Sequence, residues 1–357
     1  MSKKFCSLYS LTRIFKRLKF QSRYTLTASL LSAFLLSGGA ALACTWAAYH
    51  NGKASVVART MDWFYDDNMV AKGHGRGIAV KTADTPNALT YTSKYASLQM
   101  HSFNGLVTDA MNEKGLQASA LFLEGSEIPA PLDGRSDVSC INLLDFFVSN
   151  FATVQEAVNA IQTINILPPD RSVISSPDGK PLHFPGRHVP FHLALADIFG
   201  DKAVIEFWEG ELRIYHGGQH DALSNEPHYE IHLASDASGY QPNGSIAPID
   251  RRARARLYMQ DMIASEVVEP RHALLAMRGL LASVWAGTDE LDPVNKEAYP
   301  TIWGALIDQN ALAYYISRYN SWCTEKYDFT MFDPGRPEAV TLKAPSCPLP
   351  KIEISGS

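Results

Sequence analysis

The chain has 357 residues, 46% of them hydrophobic and 19% charged, which is the make-up of an ordinary globular protein and argues against disorder. Its formal charge of -5 conceals an asymmetry: residues 1–43 hold seven Lys/Arg and no Asp/Glu, leaving 25 basic against 37 acidic residues, a balance of -12, for the rest. A body that acidic has no general attraction for nucleic acid or anionic lipid, since both require a basic surface.

Residues 1–43 read as an address and not as part of a fold. A basic stretch precedes an apolar run from about Leu26 to Leu36, then Ser37-Gly38-Gly39, then Ala41-Leu42-Ala43 directly before Cys44. That is the small-x-small cleavage pattern of a secretory signal peptide. The apolar run is too short for a mature membrane helix, which needs about 20 residues. The expectation is removal of 1–43 by cleavage after Ala43, an exported, periplasmic product without stable membrane insertion, and a single domain over 44–357.

From Cys44 the pattern is strand, turn, strand: Cys44 to Tyr49, Asn51-Gly52, then Ala54 to Arg59 with β-branched Val56 and Val57. A two-residue loop at Asn51-Gly52 would set His50 against Lys53 and, counting outward, Cys44 against Arg59. Leu106 to Met111, the turn Asn112-Glu113-Lys114-Gly115 and Leu116 to Phe122 predict a second hairpin. Ile141, Leu143, Leu144, Phe146, Phe147 and Val148 suit a buried helix, and Thr153 with Glu156 forms a capping box for the next. The Pro-rich segment Pro168 to Pro190 predicts a loop. Val189 to Asp197, Lys202 to Trp208 and Glu211 to Tyr215 predict a meander with turns at Gly200-Asp201 and Glu209-Gly210. Helices are expected over Arg251 to Ala264 and Arg271 to Ala286, and strands at Ala311 to Arg318 and Lys326 to Phe332. This order is α+β, with antiparallel sheets faced by helices.

Four cysteines follow the cleavage point, and only Cys323 and Cys347 have the look of a possible disulfide, which spacing cannot establish. Cys44 itself admits three readings. Cleavage could free an α-amine of pKa about 8 on the residue that also carries the thiol, so that one residue supplies nucleophile and base. Cys44 could instead be the lipid-modified residue of a non-catalytic lipoprotein, although Ala41 stands where such signals usually carry Leu. It could also merely lie near the cut. Arg59 and Asp62 favour the first reading: a cation beside the sulfur promotes thiolate, and a carboxylate can hold the terminal ammonium.

Cys44-Thr45 with Arg59-Thr60-Met61-Asp62-Trp63 resembles the opening of the choloylglycine hydrolase family, which includes penicillin V acylases and bile salt hydrolases. Asp109-Ala110-Met111-Asn112-Glu113-Lys114-Gly115-Leu116 is similar to that family's Asp-Gly-Met-Asn-Glu-Lys-Gly-Leu stretch, and Ser224-Asn225-Glu226-Pro227 to its Thr-Asn-x-Pro motif. Asp250-Arg251-Arg252-Ala253-Arg254 stands where members carry an Arg that opens a helix. The likeness spans nearly all of the chain after Ala43.

The resemblance implies a four-layer αββα sandwich of the N-terminal nucleophile hydrolase type that cleaves a linear amide through an acyl-enzyme. It implies Cys44 as nucleophile and base, Arg59 and Asp62 as its organisers, Asn225 as an oxyanion donor and Arg251, or its neighbour Arg252, as a supporting charge. Trp63, Phe64 and Phe122 are the candidates for contact with an apolar acyl group. Phe122 stands where bile-salt-hydrolysing members place an Asn, which together with the export signal favours penicillin V and N-acyl homoserine lactones over conjugated bile salts. A homo-oligomer is expected, with the short interval between Asn225 and Arg251 weighing against a tetramer. No cofactor is expected. His183, His188 and His192 lie across a loop and a strand with no carboxylate spacing, so no metal site is expected there, and no Gly-x-Ser-x-Gly elbow or phosphate loop is present.

Overall fold

The computed structural model describes residues 44–169, 186–267, 269–293 and 296–349. Residues 1–43, His183 and most of the segment Pro168–Pro190 that the sequence predicts as a loop lie outside those residues. The strands run β1 (Thr45–His50), β2 (Ser55–Asp62), β3 (Val70–His74), β4 (Ala79–Lys81), β5 (Thr90–Thr92), β6 (Ser97–Ser102), β7 (Leu106–Asn112), β8 (Gln117–Phe122) and β9 (Ser136–Ser139). They continue with β10 (Ile164–Leu167), β11 (Phe191–Ala196), β12 (Lys202–Trp208), β13 (Glu211–His216), β14 (Ala222–Ser224), β15 (Thr301–Asp308), β16 (Ala313–Arg318), β17 (Thr324–Asp328) and β18 (Ala339–Thr341). The helices are α1 (Leu143–Asn150), α2 (Val154–Ile161), α3 (Tyr229–Ala237), α4 (Pro248–Ala264) and α5 (Pro270–Ser283).

Two antiparallel sheets carry the architecture: a six-stranded one ordered β14-β1-β2-β15-β16-β17 and an eight-stranded one ordered β13-β12-β11-β8-β7-β6-β3-β18. Alternation along each strand sends side chains to two different cores. From β2, Val57 and Met61 face the inner core with Leu98, Met111 and Leu121 of the opposing sheet. Val56 and Ala58 face outward against Met259, Met277 and Leu280 of α4 and α5. On the far side, Ala118 and Leu195 pack under Phe147 of α1 and Val158 of α2. The layers are therefore helix, sheet, sheet, helix, an αββα sandwich.

Thr153 caps α2 as expected, accepting from the Glu156 N–H at 3.3 Å, while the Glu156 carboxylate accepts the Ala152 N–H at 2.7 Å. Cys323 and Cys347 form a disulfide. The first hairpin departs from the sequence-based register. The side chain of Asn51 accepts the N–H groups of Lys53 and Ala54 at 3.0 and 2.7 Å, and Gly52 takes φ +84°. The loop therefore runs from Asn51 to Ala54, and His50 pairs with Ser55 and Trp46 with Arg59. Cys44 lies opposite Met61 on that ladder and not opposite Arg59. Because the slip is two residues, Arg59 keeps its face.

Several elements were not foreseen in the sequence. β15 is buried along all eight residues between β2 and β16, so its sequence TIWGALID shows no alternation. Strands β3 and β6 and helix α3 were likewise missed. The last predicted strand ends early, at Asp328, whose side chain accepts the Thr330 N–H at 2.9 Å and starts a short 3-10 turn over Phe329–Met331.

Candidate active site

Cys44 is 2% exposed at the start of β1, its Sγ 3.9 Å from the Met61 Sδ. Burial pushes the thiol pKa up. The Arg59 guanidinium pulls it back, with smaller help from the Asp62 N–H, which donates to the sulfur, and from Arg251, while the Asp62 carboxylate opposes them. The Cys44 carbonyl accepts from the Ser224 hydroxyl at 2.8 Å, and the Thr45 N–H donates to the Thr60 hydroxyl at 2.9 Å.

Asp62, wholly buried at the end of β2, is the hub of the polar side of this site. Its Oδ2 accepts from Arg251 at 2.7 Å and from Thr60 at 3.2 Å, and its Oδ1 accepts from Thr301 at 2.6 Å. Burial nonetheless raises its pKa to about 6 against the pull of Arg251, Thr301 and Thr60. Arg251 also donates to the Thr45 hydroxyl at 2.8 Å, to the Ser224 hydroxyl at 3.3 Å and to the Ile246 carbonyl at 2.8 Å. Arg252 turns away, to Asp236 at 2.9 Å and the Ala222 carbonyl at 3.0 Å. Of the two adjacent arginines, only the first reaches Asp62.

Arg59 crosses the inner core and is held almost wholly by the opposite sheet. It donates to the carbonyls of Thr108 at 3.0 Å and Ala120 at 2.8 Å, lies 3.5 Å from the Asp109 carboxylate and covers the Trp303 ring at 4.8 Å. Asp109 also accepts from Tyr314 at 2.6 Å and from Gln117 at 3.1 Å. A β-bulge makes this possible. Between β6 and β7 the register passes from Met100 against Asp109 to His101 against Val107, so Thr108 is the extra residue. Val107 therefore packs into the outer core, while Asp109 points into the inner one.

Asn225 is fully buried just past β14, one step beyond the Thr45–Ser224 pair and hence across the ladder from Cys44. Its amide donates to the Phe122 carbonyl at 2.6 Å, and its Oδ1 is buried without a hydrogen-bond partner. Only one of the two amide N–H groups is needed for that bond.

Cys44 opens on a cavity of about 570 Å³ walled largely by apolar side chains, among them Met61, Trp63, Phe122, Leu144 and Phe191. Trp63 and Phe122 meet edge to face with centroids 5.7 Å apart. Phe64 does not line this cavity; it stacks on Trp63 at 4.9 Å and is 56% exposed. His188 borders the cavity, and His192 is engaged with Glu206 at 2.9 Å. Sequence reasoning missed Thr301 on Asp62 and the role of Asp109 on Arg59, although Asp109 lies inside a motif that it singled out.

The family model for linear amide C–N hydrolases, choloylglycine hydrolase family, matches residues 44–243. A penicillin V acylase of Pectobacterium atrosepticum is 29% identical over 260 residues, 68% of this chain and 67% of that protein. A bile salt hydrolase/transferase of Clostridium perfringens is 27% identical over 43% of this chain and 45% of its own length. Among solved structures, penicillin V acylase from Agrobacterium tumefaciens superposes with a TM-score of 0.71 at 25% identity, covering 84% of this chain and 92% of that one. The conjugated bile acid hydrolase of Clostridium perfringens gives the same TM-score at 20% identity, over 85% and 98% of the two chains, and speaks for the fold alone.

Proposed function

The chain belongs to the choloylglycine hydrolase family as an N-terminal-nucleophile cysteine amidohydrolase, and from that premise we propose that it is exported, cut after Ala43, and acylated at Cys44 by amides of extended apolar acids, penicillin V and N-acyl homoserine lactones before conjugated bile salts. The mature domain then begins at Cys44. Its thiol passes a proton to its own α-amine as sulfur bonds to the substrate carbonyl. The tetrahedral oxyanion is met by the free N–H of Asn225, the C–N bond breaks, and the amine leaves with the proton. Water, deprotonated by the same α-amine, then releases the acid from the thioester. Arg59 and Arg251 supply the positive charge that favours thiolate, and Asp62 holds the terminal ammonium.

The observation that carries the substrate reading is the cavity. It runs from Cys44, in the inner core, past the bulge at Val107–Thr108 to Cys140 and Leu144, which belong to the outer core beneath α1. A slot that rounds the end of a sheet suits an extended chain or a flat aryloxy group better than a rigid fused-ring steroid.

Two measurements test this. N-terminal sequencing of active protein should begin at Cys44, and a blocked or different terminus sinks the mechanism. Hydrolysis of penicillin V, acyl homoserine lactones and glycocholate should rank in favour of the first two and vanish in Cys44→Ala; preference for glycocholate overturns the substrate assignment.

A further inference from the structure

Behind Asn225 lies a buried polar cluster that the mechanism above does not use. Glu206, fully buried on β12, accepts from the His192 Nδ1 at 2.9 Å and takes the Tyr229 N–H on both oxygens at 3.0 Å. The His228 Nδ1 lies 3.5 Å away, its ring stacked on Trp208 at 4.0 Å. Despite the burial that opposes it, the hydrogen bonds of His192 and His228 hold the Glu206 carboxyl down to about 2, so the group is charged. That charge stands at the N-terminus of α3, where free N–H groups and the helix dipole favour an anion.

One turn on, His232 is fully buried, and its Nε2 meets the Asn225 carbonyl at 3.2 Å. Burial, and Arg252 beyond it, hold this ring neutral with a pKa of about 3, so the nitrogen facing the carbonyl is the one that carries hydrogen. Asn225 is thus anchored at its side chain by Phe122, at its carbonyl by His232, and through β14 to β1 by the Thr45–Ser224 pair. A buried carboxylate is an expensive way to stabilise a core, and an apolar replacement often serves as well. We propose that Glu206 and His232 are positioning residues for the oxyanion donor: Glu206 fixes the start of α3, and His232, on that helix, fixes Asn225. This rests on the role assigned to Asn225 in the proposed reaction.

The experiment is a double-mutant cycle on the mature protein: Glu206→Gln and His232→Phe, each alone and with Asn225→Ala, with His232→Gln as the conservative variant. Asn225→Ala should lose roughly 10²–10³ in kcat. Glu206→Gln and His232→Phe should each lose roughly tenfold in kcat with KM little changed, and neither should lose more once Asn225 is Ala, because they act through it. His232→Gln, which still offers an N–H, should recover most of the loss. Losses that multiply in the Asn225→Ala background, that fall on KM, or that His232→Gln fails to restore in a protein of native melting temperature overturn the proposal, as does wild-type kcat in either single variant. Full activity in Asn225→Ala overturns the oxyanion assignment itself. Absence of any amide hydrolysis by the wild type would remove the amidase reading and this one with it.

Discussion

The hairpins β1–β2 and β7–β8 face each other across the inner core, each bearing a motif that the sequence displays, yet they do different work. In the first, Cys44, Arg59 and Asp62 converge on one sulfur. In the second, most of the motif is scaffold. The Asn112 side chain accepts the N–H groups of Lys114 and Leu116 at 2.9 and 3.1 Å and donates to the carbonyls of Val148 and Phe151 at 2.8 and 2.6 Å, tying the turn to the end of α1. Gly115, at φ +81°, passes the turn where a Cβ would sit 3.1 Å from Ile198. Asp109 and the carbonyls of Thr108 and Ala120 reach the first hairpin through Arg59, while Phe122 holds Asn225 by its carbonyl and lines the cavity beside Cys44. A motif is therefore evidence for a constraint, which can be either a reaction or a turn.

The sharpest way to break this comparison is Asp109→Asn, which keeps the shape and removes the counter-charge of a buried guanidinium. It should cost about 3 kcal/mol of stability, the lower end for one partner lost from a buried pair, and lower hydrolysis more than tenfold by freeing Arg59. Chemical denaturation and initial rates check both. If neither moves, the second hairpin is scaffold throughout.

A second test concerns the first hairpin before the proposed cleavage. Asp62 has a raised pKa of about 6, so in the uncut chain the folded state holds a proton that the unfolded state has released. Its contribution to stability is complete below the ordinary carboxylate range and is lost as pH rises through about 6. Relative to Asp62→Asn, uncut Cys44→Ala protein should lose about 2 kcal/mol between pH 4 and pH 7, at 1.36 kcal/mol per pKa unit. After cleavage the ammonium of residue 44 should shrink that difference. Urea melts at several pH values, on cut and uncut chains, give the answer; a pH-independent difference refutes it.

The smallest effect tests the far end of the cavity, where Cys140 stands beyond the second hairpin. Cys140→Phe should shift the ratio of kcat/KM for long against short acyl chains about tenfold toward the short, roughly 1.4 kcal/mol. An unchanged ratio would mean that acyl chains stop short of the outer core.

How much of this was legible follows from which interactions are local. The first hairpin and the face carrying Arg59 were readable because alternation survives a two-residue slip; the register was not, because Asn51 closes the loop with its side chain. Thr301 could not be found, since it reaches Asp62 from a strand that lacks any amphipathic signature. Arg251 and Arg252 were inseparable in sequence, though adjacent helical side chains diverge by about 100°. The His192–Glu206 contact was not readable either, since strands predicted to end at Asp197 and start at Lys202 would set Asp197 opposite Lys202, whereas the ladder pairs Ala196 with Lys202, Leu193 with Ile205 and, one step on, His192 with Glu206.

The supernumerary residue at Thr108 has a consequence beyond its own hydrogen bonds. It acts as a change of phase partway along β7, so the segment before it answers to the acyl wall and the segment after it to the charge network. If the cavity takes the acyl group as proposed, substitutions at Leu106 or Val107 should retune what is accepted and leave the Asp109–Arg59 contact in place. Deleting Thr108 would leave a regular ladder with both registers, and so both faces, unchanged, and would take away one of the carbonyls that hold Arg59.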